Sequence, residues 1–254
     1  MILIVLQSAA GSESEIVSIE HTQCVKFNDL IQRFRSHESC QAVPGSPTYS
    51  LEQIQEYFRR QLARVSQEFT FGSYASVQSI GDYLFAAQET VTTSELFCSN
   101  QHRRDRNSQS SVSSYQIIIG GTTETSLQAC MDNFTVQQAS KCATCDTYNI
   151  RHTTFVQTPP ILAFDLSCGS DLSITSIDPV VFISCENSRI HYVLRGVIYF
   201  YNNHFTERVV TSTGMIWYHD GIFTGRSLVY ESQNLASITA KDAVMAFYIR
   251  SPQA

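Results

Sequence analysis

The chain has 254 residues, 43% of them hydrophobic and 16% charged, a globular balance that excludes a disordered or fibrous protein. A net charge of −6 without a long acidic run gives no electrostatic pull toward nucleic acid. No apolar stretch reaches the roughly 20 residues that span a bilayer, so neither nucleic acid nor membrane is expected as a partner.

The first 90 residues predict helices. MILIVLQSAA is apolar from its first residue, has no capping residue before it, and is broken by GSESE. CVKFNDLIQRFR places Phe27, Leu30, Ile31 and Phe34 at helical spacing. LEQIQEYFRRQLARV carries a second stripe of Leu51, Ile54, Tyr57, Phe58, Leu62 and Val65, with Ser50 and Gln53 as a capping box. A third helix is expected over about Ser76 to Ala87. Residues 99–114 are polar and Ser-rich and read as a surface loop. YQIII then reads as a buried strand, and 126–134 as a short helix. From there the chain turns to short Val-, Ile-, Tyr- and Phe-rich strands: TYNIRHTTFV, PPILAFDLS, PVVFISCE, HYVLRGVIYFYN, HFTERVVT, MIWYHDG, SLVYES and AVMAFYIR. Helices first and an antiparallel sheet afterwards is an α+β arrangement.

Eight cysteines allow two readings. A secreted, disulfide-bonded chain is suggested by the sequon Asn133-Phe134-Thr135 and by a start that imitates a signal peptide. The apolar run of that start is short, however, and no basic residue precedes it. Cys142 and Cys145 form a C-x-x-C, which in a reducing compartment points to metal or redox chemistry, so the intracellular reading leads. Cys130 falls on the apolar side of its helix, and Cys168 and Cys185 lie in strand-like segments; all three read as packing residues.

Four blocks in order resemble the ubiquitin-specific proteases, which are papain-like cysteine proteases. They are SLQACMDNF followed by KCATC, then PPILAFDLS, then YVLRGVIYFYNNHFTERVV with MIWYHDG, and finally AVMAFYIR. FTFGSYASVQSI is similar to divergent fungal members. The resemblance implies one domain, with a helical thumb at about 1–90, zinc-finger-like fingers at about 91–158 and an antiparallel β palm at about 159–254. It implies ubiquitin or ubiquitin-conjugated proteins as partners, in the cytoplasm or nucleus, and thiol hydrolysis of the isopeptide bond at the ubiquitin C-terminus.

Within that resemblance His204 is the catalytic base and Asp220 its orienter; alternation along the strand sends His219 to the opposite face. The nucleophile is expected just upstream of MILIVLQSAAG, which resembles the body of the cysteine-bearing helix without its first turn. The chain therefore reads as truncated and inactive as given, or as a ubiquitin-binding pseudoprotease. Cys24, in QCVKFNDLIQ, is a weaker nucleophile candidate, and a small buried hydrophobe on the rival reading. The fingers imply one structural Zn²⁺, held by Cys98 and His102 with Cys142 and Cys145, and no catalytic cofactor.

Overall fold

The computed structural model describes residues 24–38, 51–70, 76–98, 100, 109–119, 124–142, 144–167, 174–185, 188–225 and 227–251. MILIVLQSAAG, Ser50 and His102 lie outside them. Among the described residues, three helices come first. The first, α1 (Val25–Glu38), buries Phe27 and Leu30, and α2 (Leu51–Val65) buries Ile54 and Leu62, as their spacing predicts. The two are latched by Asp29, which accepts from Tyr57 Oη at 2.9 Å and pairs with Arg33 at 3.2 Å. The third, α3 (Val77–Leu84), begins where Ser76 Oγ accepts from the Ser79 N–H at 3.0 Å. It stops three residues short of the expected Ala87, because Ala86 leaves to bridge Ser114.

The remainder is a 12-stranded, mostly antiparallel sheet packed with α4 (Leu127–Thr135). Its strands are β1 (Thr92–Cys98), β2 (Gln109–Val112), β3 (Gln116–Ile118), β4 (Val136–Lys141), β5 (Tyr148–Phe155) and β6 (Ile161–Asp165). They continue with β7 (Val180–Cys185), β8 (Ser188–Tyr201), β9 (His204–Val210), β10 (Ile216–Asp220), β11 (Val229–Ser232) and β12 (Ala243–Arg250). The main path runs β11-β10-β9-β8-β7-β5-β1-β2, and β12 bridges β8 to β6. The α+β class read from the sequence is the one observed.

The core lies on β6, β8 and β12. Every residue of β6 is buried, and so is Met245–Ile249 of β12, which explains why both read as continuous apolar runs without alternation. Buried tyrosines keep their hydroxyls satisfied: Tyr192 donates to the Pro159 carbonyl and Tyr248 to that of Asp178, both at 2.6 Å.

The predicted loop at 99–114 is corrected at its end, where β2 pairs with β1 from Thr92↔Val112 to Glu95↔Gln109. All four β2 side chains are exposed, so no apolar face marks the strand; its backbone hydrogen bonds alone make it. β1, whose residues are buried or half-buried, and the polar β4 were also not anticipated in the sequence. Together with β5 these strands form a finger-like end of the sheet, joined to the rest through the single parallel pair Phe155↔Cys185.

Gly81 of α3 sits against the sheet so closely that a Cβ there would run into the side-chain amide of buried Gln116, and would lie 3.0 Å from Met245 Cε. Gln116 has little freedom to yield, since its Nε2 donates to the Gln78 carbonyl at 3.4 Å and to Asp165 Oδ2 at 3.5 Å. Gly81→Ala gains about 1 kcal/mol of helix propensity but incurs about 1–3 kcal/mol of overpacking. The expected outcome in urea denaturation is a net loss of stability of about 1 kcal/mol, opposite in sign to propensity alone.

Candidate functional site

His204 owes its position to a two-residue hairpin. Asn202 (φ 50°) and Asn203 (φ 58°) both occupy the left-handed region, the signature of a type I′ turn, and asparagine tolerates it well. The turn pairs Tyr201 with His204, so the histidine is the first residue of β9. A second hairpin, closed by Gly214 at φ 79°, sets β10 against β9 with Asp220 opposite Thr206. His204 and Thr206 share a face, so His204 and Asp220 are diagonal neighbours across the strand pair. His204 Nε2 lies 2.8 Å from Asp220 Oδ1. A carboxylate can only accept, so Nε2 carries the proton and Nδ1 is the nitrogen left for a reaction partner.

Asp220 is held at both oxygens. Oδ1 also accepts from the backbone N–H of Ile222 at 2.8 Å and of Phe223 at 3.2 Å, and Oδ2 accepts from Tyr218 Oη at 3.1 Å. Thr224 closes the turn: its hydroxyl donates to the Asp220 carbonyl at 2.8 Å and accepts from the Asp220 N–H at 3.0 Å. Burial pushes the carboxyl up, but the donors from Ile222, Phe223, His204 and Tyr218 outweigh it, and the group is held down at about 2. It is 2% exposed, whereas the His204 side chain is 29% exposed. An anion fixed behind a partly open imidazole is the arrangement that orients a general base. Further along the same face, Arg208 grips Glu231 with two bonds of 2.7 and 2.9 Å.

Tyr218 and the Ile222–Thr224 turn were not read from the sequence. Strand alternation places Tyr218 on the face of Asp220, and Asp-Gly followed by a threonine marks a local turn, so both signals were present. His219 does point to the opposite face, as alternation requires; its Nδ1 stands 3.0 Å from Glu207 Oε1.

The nucleophile candidate Cys24 is 0% exposed, packed among the core side chains around Phe27 and Leu30, and burial pushes its thiol up to about 12. A thiol sealed from solvent and raised by burial has the setting of a packing residue. Cys130 and Cys185 are also buried, the latter donating to the Phe155 carbonyl at 3.2 Å.

At the far end of the sheet the structure gathers Cys98, Cys142 and Cys145, whose sulfurs all lie within 4.8 Å of one another. Cys98 and Cys145 are 3.5 Å apart, close to the edge of about 3.8 Å that a tetrahedron with 2.3 Å metal–sulfur bonds requires. The C-x-x-C is bent back by the Cys142 N–H donating to Thr147 O at 2.7 Å and by Asp146 at φ 59°. The Thr147 hydroxyl and backbone lower the Cys145 thiol. This three-cysteine cluster can hold a metal ion.

No protein-family model and no curated protein matches the chain. Solved structures do. One is of the SAGA DUB module Ubp8/Sgf11/Sus1/Sgf73 bound to monoubiquitin, with a TM-score of 0.56 and 14% identity over 98% of this chain. A second, of the same module bound to ubiquitin aldehyde, has a TM-score of 0.53 at 13% identity, again over 98% of this chain. A third, of the yeast SAGA module, has a TM-score of 0.52 at 14% identity and 98% coverage. The chain has a ubiquitin-specific protease-like fold. It spans 66% of the length of the first two matched chains.

The depressed Asp220 carboxyl has a testable consequence. Its stabilising contribution is complete above the ordinary value of 3.8 and is lost as pH falls through about 2. The urea midpoint of the wild-type protein should therefore fall more steeply than that of Asp220→Asn as pH drops from about 4 to about 2. Parallel curves would mean that Asp220 gains nothing from its donors.

Proposed function

We propose that the chain is a cysteine-type deubiquitinase module that engages ubiquitin, with His204 as the base and Asp220 as its orienter. The observation that carries the proposal is the 2.8 Å bond from His204 Nε2 to Asp220 Oδ1 within a ubiquitin-specific protease-like fold. It leaves Nδ1 available to take a proton from a thiol. The thiolate so formed attacks the carbonyl of the isopeptide bond at the ubiquitin C-terminus. The imidazolium, stabilised by Asp220, then returns the proton to the departing lysine amine, and water completes hydrolysis of the thioester.

A second reading is favoured by the burial of Cys24, Cys130 and Cys185. Cys98, Cys142 and Cys145 are gathered on or beside β1 and β5, and β1 lies four strands from β9 along the main path of the sheet. None of these six described cysteines is presented to His204, which supports a ubiquitin-binding pseudoprotease as the second reading. The two readings share the ubiquitin surface and differ in the thiol.

One experiment separates them: ubiquitin binding by titration, beside labelling with a ubiquitin C-terminal electrophile. The pseudoprotease reading expects binding without labelling and turnover of a fluorogenic ubiquitin amide no faster than background. Labelling abolished by His204→Ala would instead establish a working thiol, and peptide mapping would name it. Absence of ubiquitin binding would overturn both readings.

Zinc is the metal that the cluster of Cys98, Cys142 and Cys145 suits; the expected fourth ligand, His102, lies outside the described residues. It would tie β1 to the turn between β4 and β5, a structural and not a catalytic role. Metal analysis of protein purified without chelator should give about one zinc per chain, falling sharply in Cys142→Ser. A folded preparation without zinc would leave the cluster as a set of free thiols.

A further inference from the structure

Behind the His204–Asp220 pair, on the opposite face of the same two strands, sits a second acid–histidine pair that the proposed chemistry does not use. Glu207 of β9 is 0% exposed and faces His219 of β10 directly across the strand pair. Its other cross-strand neighbour is Ile198 of β8, and Phe205 and Val209 flank it along its own strand. Neither Glu207 oxygen has a hydrogen-bond partner among the described residues, although Oε1 lies 3.0 Å from His219 Nδ1. An ionised carboxylate buried without a donor costs several kcal/mol.

The histidine resolves the protonation. His219 Nε2 is 3.0 Å from the Gly225 carbonyl, which can only accept, so Nε2 carries a proton. A neutral ring then has a bare lone pair at Nδ1, and a carboxylate oxygen at 3.0 Å would repel it. One further proton has to lie between the two side chains. Placing it on His219 would leave Oε2 as part of a buried anion with no donor among the described residues, whereas placing it on Glu207 leaves no charge in the pair. Burial pushes the Glu207 carboxyl up to about 7, the same direction.

Gly225 closes the turn that starts at Asp220. The Ile222 and Phe223 amides of this turn donate to Asp220 Oδ1, the oxygen that also receives His204. We infer that Glu207 is a neutral acid that donates to His219 Nδ1 and locks His219 as the Nε2–H tautomer, which fastens the turn through Gly225 and so positions Asp220. Glu207 and His219 are thus positioning residues, and this role rests on the reading of His204 and Asp220 as base and orienter.

The test is NMR of the whole chain, labelled with ¹⁵N in histidine and ¹³C in the glutamate carboxyl. At about pH 6, where exposed glutamates are ionised, the Glu207 carboxyl should show the protonated shift. His219 should show a protonated Nε2 and an unprotonated Nδ1. Glu207→Gln, whose amide can still donate to Nδ1, should preserve the His219 pattern and the downfield Nε2–H signal of His204. Glu207→Leu should lose the single tautomer at His219 and broaden the His204 signal.

The inference is overturned by an ionised Glu207 at that pH, which the wild-type protein reports even if the leucine variant fails to fold. A folded leucine variant with both histidines unchanged overturns it as well. If His204 lacks an Nε2–H bond to Asp220 in the wild type while His219 shows the expected tautomer, the positioning role falls because the underlying dyad is wrong. That result is distinct from a failure at Glu207.

Discussion

A one-residue slip of β9 against β10 would turn His204 to the face that Glu207 occupies and leave Asp220 without its partner, so the site rests on register before it rests on any side chain. Register here is set at two places. Asn202 and Asn203 fix β9 against β8, and the Thr211–Met215 loop fixes β10 against β9. Burial of β8 then anchors the three strands to the core, since Val197, Ile198 and Tyr199 are enclosed while the tip at Tyr201 stays exposed. The hairpin tip can therefore present an imidazole to solvent from a rigid base.

The two faces of this strand pair divide the work. On one, a carboxylate is kept ionised by four donors, from His204, Tyr218, Ile222 and Phe223. On the other, a carboxyl with no donor among the described residues is pushed toward neutrality by burial. The two acids lie on adjacent strands, Asp220 next to the His219 that faces Glu207. Local hydrogen bonding, and not position in the fold, decides which of them carries charge.

Much of this was legible because the informative residues pattern themselves. The helices at Phe27–Ile31 and Ile54–Leu62 announce their buried stripes, and the runs ILAFD and MAFYI announce strands covered on both faces. His204 and Asp220 could be paired from the resemblance of their block to that of the ubiquitin-specific proteases, and alternation set His219 aside. Of the strands at the finger-like end, β2 and β4 could not be read, because QSSV is exposed throughout and VQQASK is polar, and both pair through the backbone. The third metal-competent sulfur, Cys98, was legible only through the resemblance to the paired zinc knuckles of the ubiquitin-specific proteases. What bends that motif was not, because an aspartate, Asp146, takes the left-handed position where glycine would have been the usual signal. Glu207 was also missed: a glutamate between Thr206 and Arg208 looks like part of a solvated stretch until both flanking strands are in place.

The construction of the finger end also bears on how far such a chain can drift. When a strand is held by its main chain and by a knot of sulfurs at its tip, almost any side chain that tolerates an extended backbone will serve at its exposed positions. Substitutions there leave shape intact while erasing resemblance. Architecture of this kind tolerates wide change of its letters, and the fold is matched over 98% of the chain at 14% identity.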